Sequence, residues 1–308
     1  MGQSDVLIVG TGALACLFAA RLSASGSSVV MLGSWPEGIA TLAHHGVRLI
    51  DEDGQEQQFP VTVTTDPITC QGRRYALVLV KSWQTERAAR QLVECLPADG
   101  LALSLQNGFG NYEILCQHLG STRVALGSTT AGAHLLNPGI VKSAGEGVTT
   151  LGIHARLKHL VELLGRAGFI VESQPDINSL VWAKLVINAA INPLTALLRV
   201  PNGELLARPD ARLLLATIAR EAAAVAIAKG VNLPYPDPVV ASEAIARRTS
   251  QNYSSMLQDV RRVAPTEIDA ICGAIVRAGE HLGVPTPVNR TLLMLINALV
   301  YKGNSWKQ

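Results

Sequence analysis

Charge is scarce in this chain of 308 residues. Asp, Glu, Lys and Arg make up 16% of it, against about a quarter in ordinary soluble proteins. The formal net charge is +2, which gives no electrostatic basis for binding nucleic acid or an anionic membrane surface. Cysteine is sparse too. The five thiols at positions 16, 70, 95, 116 and 272 are odd in number and scattered, with no C-x-x-C pair. They read as reduced thiols of a cytoplasmic protein, neither zinc ligands nor disulfides. Apolar runs of transmembrane length without interruption are lacking. The opening Met1-Gly2-Gln3-Ser4-Asp5 has no basic stretch and runs straight into a strand, so no signal peptide is expected. Internal repeats and low-complexity tracts are absent as well.

What the chain has instead is apolar side chain, 48% of all residues. That suffices for two domains of ordinary size with large cores, and leaves room for a homodimer interface.

The N-terminal half alternates strands and helices. Val6–Gly10 is a buried strand, residues 13–25 an amphipathic helix closed by Gly26, and Ser28–Leu32 a second strand. Between strand and helix lies Gly10-Thr11-Gly12-Ala13-Leu14-Ala15, a G-x-G-x-x-A loop. The first glycine allows the tight turn and the second lets a pyrophosphate approach the backbone. The small third residue lets helix and strand pack closely. The unpaired N–H groups of the helix start then face the phosphates. In this strand–loop–helix context the motif predicts dinucleotide binding. The end of the second strand normally declares the cofactor through an acid for NAD or an arginine for NADP. Here it reads Leu32-Gly33-Ser34-Trp35-Pro36, with neither.

His44-His45 and the following Val47–Ile50, with Asp51–Gly54 beyond, read as a hairpin with an Asp-Gly turn. Neighbouring histidines in a strand point to opposite faces, so no metal site is expected there. Tyr75–Val80 and Leu101–Leu105 are further buried strands. Lys81 follows one and Asn107 the other, at the carboxyl ends where ligands of parallel sheets sit. Lys81 reads either as a partner for a cofactor phosphate or as a solvated cation. Asn107 reads either as a cofactor or substrate contact or as a turn residue before Gly108. Val124–Gly127 and Val148–Gly152 are strands, and the small residues of Ser128–Ala133 suit packing against a flat ring or a plain strand end.

Beyond Gln174 the pattern turns helical. The domains are therefore residues 1–174, a Rossmann-type α/β unit, and 175–308, an all-α unit. A helix from about Ile177 carries Lys184, Asn188 and Asn192 at a spacing of four, stacked on one face. The stripe is either a solvated face with a surface lysine or a ligand-lining face whose lysine needs a partner. Further helices are expected over residues 211–229, 239–248, 266–282 and 291–301, with a turn at Pro201-Asn202-Gly203. Thr266 and Glu267 read as the start of the 266–282 helix; alternatively Glu267 is the buried partner of Lys184.

These motifs resemble the ketopantoate reductase (2-dehydropantoate 2-reductase) family over nearly the whole chain. The specific pieces are Gly10–Leu14, K-x-W-Q at Lys81–Gln84, Q-N-G at Gln106–Gly108, and K-x-x-x-N-x-x-x-N-P-L-T-A at Lys184–Ala196. P-N-G-E at Pro201–Glu204, N-x-S-S-M-L-Q-D at Asn252–Asp259 and T-E-I-D at Thr266–Asp269 follow. The resemblance implies reduction of 2-dehydropantoate to (R)-pantoate with NADPH, on the route to pantothenate and coenzyme A, with the active site in the cleft between the domains. It implies Lys184 as general acid. Glu267 would steady that lysine and touch cofactor or substrate. Asn188, Asn192, Asn202 and Ser255 would hold the substrate's hydroxyl and carboxylate groups. Gly10, Thr11, Gly12, Ala13, Leu14, Ala15, Lys81, Asn107 and Ala133 would contact the cofactor, with Asn107 reaching the substrate too. Departures from the family pattern are Ala15 for the third glycine, Ser34 for the usual arginine, Ala131 for a common histidine, and Ala264-Pro265 for the usual basic residue. NADP(H) is the expected cofactor, and Ser34 keeps NAD(H) open. The alternatives are a related 2-oxoacid or β-hydroxyacid dehydrogenase of the same fold, and a non-catalytic dinucleotide sensor. The intact set of Lys184, Asn188, Asn192, Ser255 and Glu267 argues against a sensor.

Overall fold

The computed structural model describes residues 6–301. The opening segment Met1–Asp5 lies outside the described residues, as does the end of the expected helical domain beyond Tyr301.

The first unit begins with β1 (Val6–Val9), α1 (Ala13–Ala24), β2 (Val29–Leu32), α2 (Pro36–His45), β3 (Val47–Ile50), β4 (Glu56–Phe59) and β5 (Thr62–Thr64). A 3₁₀ turn, Pro67–Cys70, leads to β6 (Tyr75–Val78), α3 (Thr85–Cys95), β7 (Leu101–Ser104) and α4 (Asn111–Leu119). Then follow β8 (Val124–Thr129), β9 (Ala133–Asn137), β10 (Ile140–Ser143), β11 (Val148–Gly152), α5 (Lys158–Arg166) and β12 (Ile170–Gln174). The main sheet runs β12-β11-β8-β7-β6-β1-β2-β5. From β5 to β8 every pairing is parallel, and β11 runs antiparallel to β8. That is the doubly wound order of a dinucleotide-binding sheet, extended by two strands.

Strands such as Val6–Val9 and Val29–Leu32 are buried at every residue, as strands covered on both faces must be. On one face α1 buries Leu17, Phe18 and Leu22 completely, each contributing roughly 1.5–3 kcal/mol, and Phe18 stacks on Phe169 at 4.1 Å. On the other, Ala88, Ala89 and Leu92 of α3 pack with Leu7, Val9 and Val30. A second sheet, β4-β3-β10-β9, also rests on α1.

The hairpin of β3 and β4 forms as expected, with Gly54 in the left-handed region at φ 82°. The two histidines depart from expectation. His44 and His45 close α2 rather than entering a strand, because Pro36 and Glu37 start a helix that runs until Gly46 ends it. Among the described residues no group of three potential metal ligands forms. The strands β9, β10 and β12 and the helix α5 carry no strong sequence signal and enter the fold through pairing and packing.

The second unit takes in the chain from Asn178 onward together with the short segment Asn107–Gly110. It holds α6 (Ile177–Leu198), α7 (Glu204–Ala207), α8 (Pro209–Ala228), α9 (Pro238–Arg248), α10 (Ser255–Arg261), α11 (Cys272–Leu282) and α12 (Pro287–Leu299). By length and composition α6 could cross a membrane, but two thirds of its most apolar window is buried in the fold, as in the core helix of a globular unit. Trp182, Leu185, Val186 and Ala189 are its inner face. Pro193 removes one helical N–H, and Thr195 Oγ1 lies 3.0 Å from the carbonyls of both Ile191 and Asn192, either of which can take its single proton.

The expected helix over 266–282 is two elements. A 3₁₀ turn, Ile268–Ala270, is followed by α11, with a break at Ile271 (φ −104°, ψ −90°). Thr266 therefore does not begin the long helix; its Oγ1 accepts only a long 3.4 Å bond from the Ile268 N–H. Ser254 caps α10 by accepting from the Leu257 N–H at 3.1 Å, and its hydroxyl lies 2.7 Å from that of Thr195.

Candidate functional site

The dinucleotide loop joins the end of β1 to α1. Gly10 has φ +132°, and a Cβ there would sit 3.1 Å from the backbone of Leu79, so the fold itself demands glycine. Gly12 differs. Its backbone is extended (φ −83°, ψ −174°) and nothing lies within 4 Å of where its Cβ would be. No contact among the described residues accounts for that glycine, whereas a pyrophosphate resting on the loop would. Gly12 precedes α1 without a side-chain cap, and α1 has no acid in its first turn, so the positive helix end faces outward uncompensated. Ala15 is fully buried, the close packing that the third small residue of the motif provides. The loop fits a dinucleotide's phosphates.

At the same edge of the sheet, Lys81 follows β6 and is partly buried; its carbonyl accepts from the Gln84 N–H at 2.8 Å. Gln106, the first residue of the Q-N-G motif, is a structural hub. Its Nε2 donates to the Val80 carbonyl at 3.0 Å and to Thr85 Oγ1 at 2.7 Å, and its Oε1 accepts from Ser104 at 3.2 Å. The Thr85 hydroxyl goes on to Asn111 at 2.8 Å. This network holds together the loops after β6 and β7, and a glutamine placed directly after a buried strand was its only sequence signal. Ala133 opens β9 opposite Ser143. Ser34 is exposed beyond β2, where the Gly33 N–H donates to the Thr64 carbonyl at 3.0 Å.

The remaining candidates belong to the helical unit. Asn107 is one of them, since Asn107–Gly110 is part of that unit. Next to it, the Phe109 N–H donates to the Ala270 carbonyl at 2.8 Å and the ring packs on Trp182 at 5.1 Å.

Lys184, Asn188 and Asn192 lie on α6. Lys184 and Asn188 are partly buried and Asn192 is buried. Desolvation pulls the Lys184 ammonium down from its ordinary 10.5 to about 8, and the Glu267 carboxylate opposes the shift. Glu267 is itself buried, at the start of the turn before α11. A lysine next to one acid in low-polarity surroundings is thus poised to give up a proton near neutral pH. Of the two sequence readings of each residue, the pairing of Lys184 with Glu267 is the one that this electrostatic coupling agrees with.

Asn202 is buried, and its backbone N–H donates to the Asn252 carbonyl at 3.0 Å. Its Nδ2 donates to Thr249 Oγ1 at 2.9 Å. Thr249 already donates its own proton to the Ile245 carbonyl at 2.8 Å, which fixes the direction of the amide. Asn202 Oδ1 is then a buried acceptor without a partner among the described residues. Ser255 is partly buried in the first turn of α10.

Comparison with known proteins agrees with this architecture. Residues 6–156 match the family model described as ketopantoate reductase PanE/ApbA, and residues 176–300 match its C-terminal domain. The 2-dehydropantoate 2-reductase of Archaeoglobus fulgidus is 36% identical over 97% of this chain and 99% of its own length. The crystal structure of a PanE/ApbA family ketopantoate reductase from Ralstonia eutropha superposes with a TM-score of 0.90 at 32% identity, covering 96% of this chain and 98% of that one. D-mandelate dehydrogenase, solved as a ternary structure with NADH and anilino(oxo)acetate, also reaches 0.90, at 27% identity and the same coverage.

Proposed function

Because the chain belongs to the ketopantoate reductase family, we propose that it reduces 2-dehydropantoate to (R)-pantoate with NADPH, a step toward pantothenate and coenzyme A. The reading assigns residues 1–174 to the dinucleotide and 175–308 to the substrate, and has the protein act as a cytoplasmic enzyme and a homodimer. The observation that carries it is Lys184, a desolvated lysine coupled to Glu267 on a helix face that also bears Asn188 and Asn192.

The dihydronicotinamide supplies a hydride to the ketone carbon when bound. Lys184 meets the charge that grows on the ketone oxygen and donates its proton there. Glu267 keeps the lysine protonated at neutral pH. Asn188, Asn192, Asn202 and Ser255 hold the substrate's hydroxyl and carboxylate. The Gly10–Ala15 loop takes the pyrophosphate. Lys81, Asn107, Ala133 and Glu267 contact the remainder of the cofactor, and Asn107 also reaches the substrate.

A second reading is reduction of a different 2-oxo acid, favoured by the D-mandelate dehydrogenase likeness. Initial-rate kinetics with 2-dehydropantoate and with benzoylformate, each paired with NADPH and NADH, separates the two. The expected result is that 2-dehydropantoate with NADPH gives the highest kcat/KM by about an order of magnitude. A preference for benzoylformate would overturn the first reading.

A further inference from the structure

The carboxyl ends of β2 and its sheet neighbour β5 flank the place where a doubly wound fold reads the adenosine ribose. They carry no cation. From Leu32 to Ala43 the only charge is Glu37, and from Thr62 to Gln71 it is Asp66. An NADP(H) site there lacks its basic partner unless another element supplies one.

Arg87 meets that need. It lies in the first turn of α3, seven residues after Val80 leaves the end of β6, and so at the same edge of the sheet as Gly12 and Ser34. The helix α3 packs with the 3₁₀ turn that follows β5. One flank of α3 faces α4, since Glu86 bonds His118 at 3.0 Å. Toward the far end of the helix, Gln71 of the β5 side reaches the Glu94 carbonyl at 3.3 Å. Gln84, Arg87 and Gln91, spaced three and four apart, form a partly buried strip away from the apolar stripe.

The state of Arg87 is costly in three ways. Its Nε is buried with no hydrogen-bond partner among the described residues. Arg73 and Arg123 also bury Nε, but each donates another guanidinium N–H to two backbone carbonyls; among the described residues Arg87 forms no such bond. Burial weakens its charged form, with no carboxylate to offset the effect. Finally, a cation in the first turn opposes the positive end of the helix dipole. The nearby acid of that turn, Glu86, is bound to Arg90 and His118. An anion bound at the outer N–H groups of the guanidinium would offset the last two of these costs.

We propose that Arg87 is a further cation of the cofactor site beside Lys81, binding the 2′-phosphate of NADP(H) in place of the basic residue absent after β2. This rests on the dinucleotide reading above. The guanidinium offers the forked N–H pair that suits a phosphate, and Ser34, exposed at the end of β2, offers a hydroxyl to the same group.

Titration calorimetry with NADP⁺ and NAD⁺ on the wild-type protein, Arg87→Ala and Arg87→Lys tests it without reference to turnover. The expected result is that Arg87→Ala weakens NADP⁺ by about tenfold or more, the range of a charge-assisted hydrogen bond, and leaves NAD⁺ within about twofold. Arg87→Lys should recover part of the loss, since a point charge serves a phosphate less well than the fork. Equal losses for both nucleotides, no loss for either, or wild-type protein that binds NAD⁺ as tightly as NADP⁺ would overturn the assignment of Arg87 while leaving the dinucleotide reading intact. Failure of wild-type protein to bind either nucleotide would bring down the dinucleotide reading itself.

Discussion

Gly12 at the head of α1 and Lys184 in the middle of α6 represent two ways of preparing a chain for a polar ligand. In the sheet unit the prepared surface is backbone. Open space beside Gly12 and the unpaired start of α1 wait on a short loop between two packed elements. In the helical unit the prepared surface is side chain. A lysine and two amides project from one continuous helix whose opposite face is the core. A backbone site depends on shape and tolerates no added atoms. A side-chain site depends on charge held in low-polarity surroundings, and its cost falls on the stability of the unit that holds it.

The sharpest way to separate the two is Lys184→Ala. Loss of the proton donor should lower kcat for 2-oxo acid reduction by about three powers of ten, within the range of general acid catalysis. Cofactor affinity, measured by titration, should stay within about twofold. Near-normal turnover would remove Lys184 from the chemistry.

A smaller effect is expected from the two loop glycines, and it should divide them. Gly10→Ala strains a φ of +132° and crowds Leu79, so denaturant unfolding should show a loss of about 1–3 kcal/mol. Gly12→Ala meets open space, so stability should change by less than about 1 kcal/mol, while cofactor affinity falls about tenfold. Equal stability losses at both positions would show that Gly12 serves the fold and not the ligand.

The mildest test concerns pH. With Lys184 near 8, the protonated form needed for reduction is lost as pH rises through about 8, and the rate should fall there. Glu267→Gln removes the influence that raises the lysine, so the falling limb should move to lower pH. An unmoved limb would break the coupling. The stability linkage has the opposite sense. The folded lysine titrates near 8 and the unfolded one near 10.5, so between those values the unfolded chain binds more protons. The contribution of this group to stability therefore rises with pH across that window.

Much of this was legible in advance. The G-x-G-x-x-A loop sits between a strand and a helix, and its register leaves one reading. The start of α6 at Ile177 followed from its apolar run, and the Lys184–Asn188–Asn192 stripe from its spacing. Other features were hidden for physical reasons. The short strands β9 and β10 are defined by their partners more than by their own side chains. The residues Thr266–Ile271 looked like a helix start, yet Ile271 turns the chain out of helical geometry and splits the segment. Arg87 has unremarkable sequence neighbours, and the motif around Gln106 does not tell its bonding role; the meaning of both lies in which atoms surround them.

By itself, the sequence determined the alternation of strand and helix, the loop that accepts a dinucleotide, and the face of α6 that carries the lysine. Each depends on periodicity or on steric freedom at single residues, which are local properties. Only the tertiary structure decided that Lys184 is desolvated within reach of Glu267's charge, and that, among the described residues, Asn202 Oδ1 and the Arg87 Nε are buried without a partner. Solvation and electrostatic pairing depend on groups far apart in the chain, and the fold alone brings those groups together.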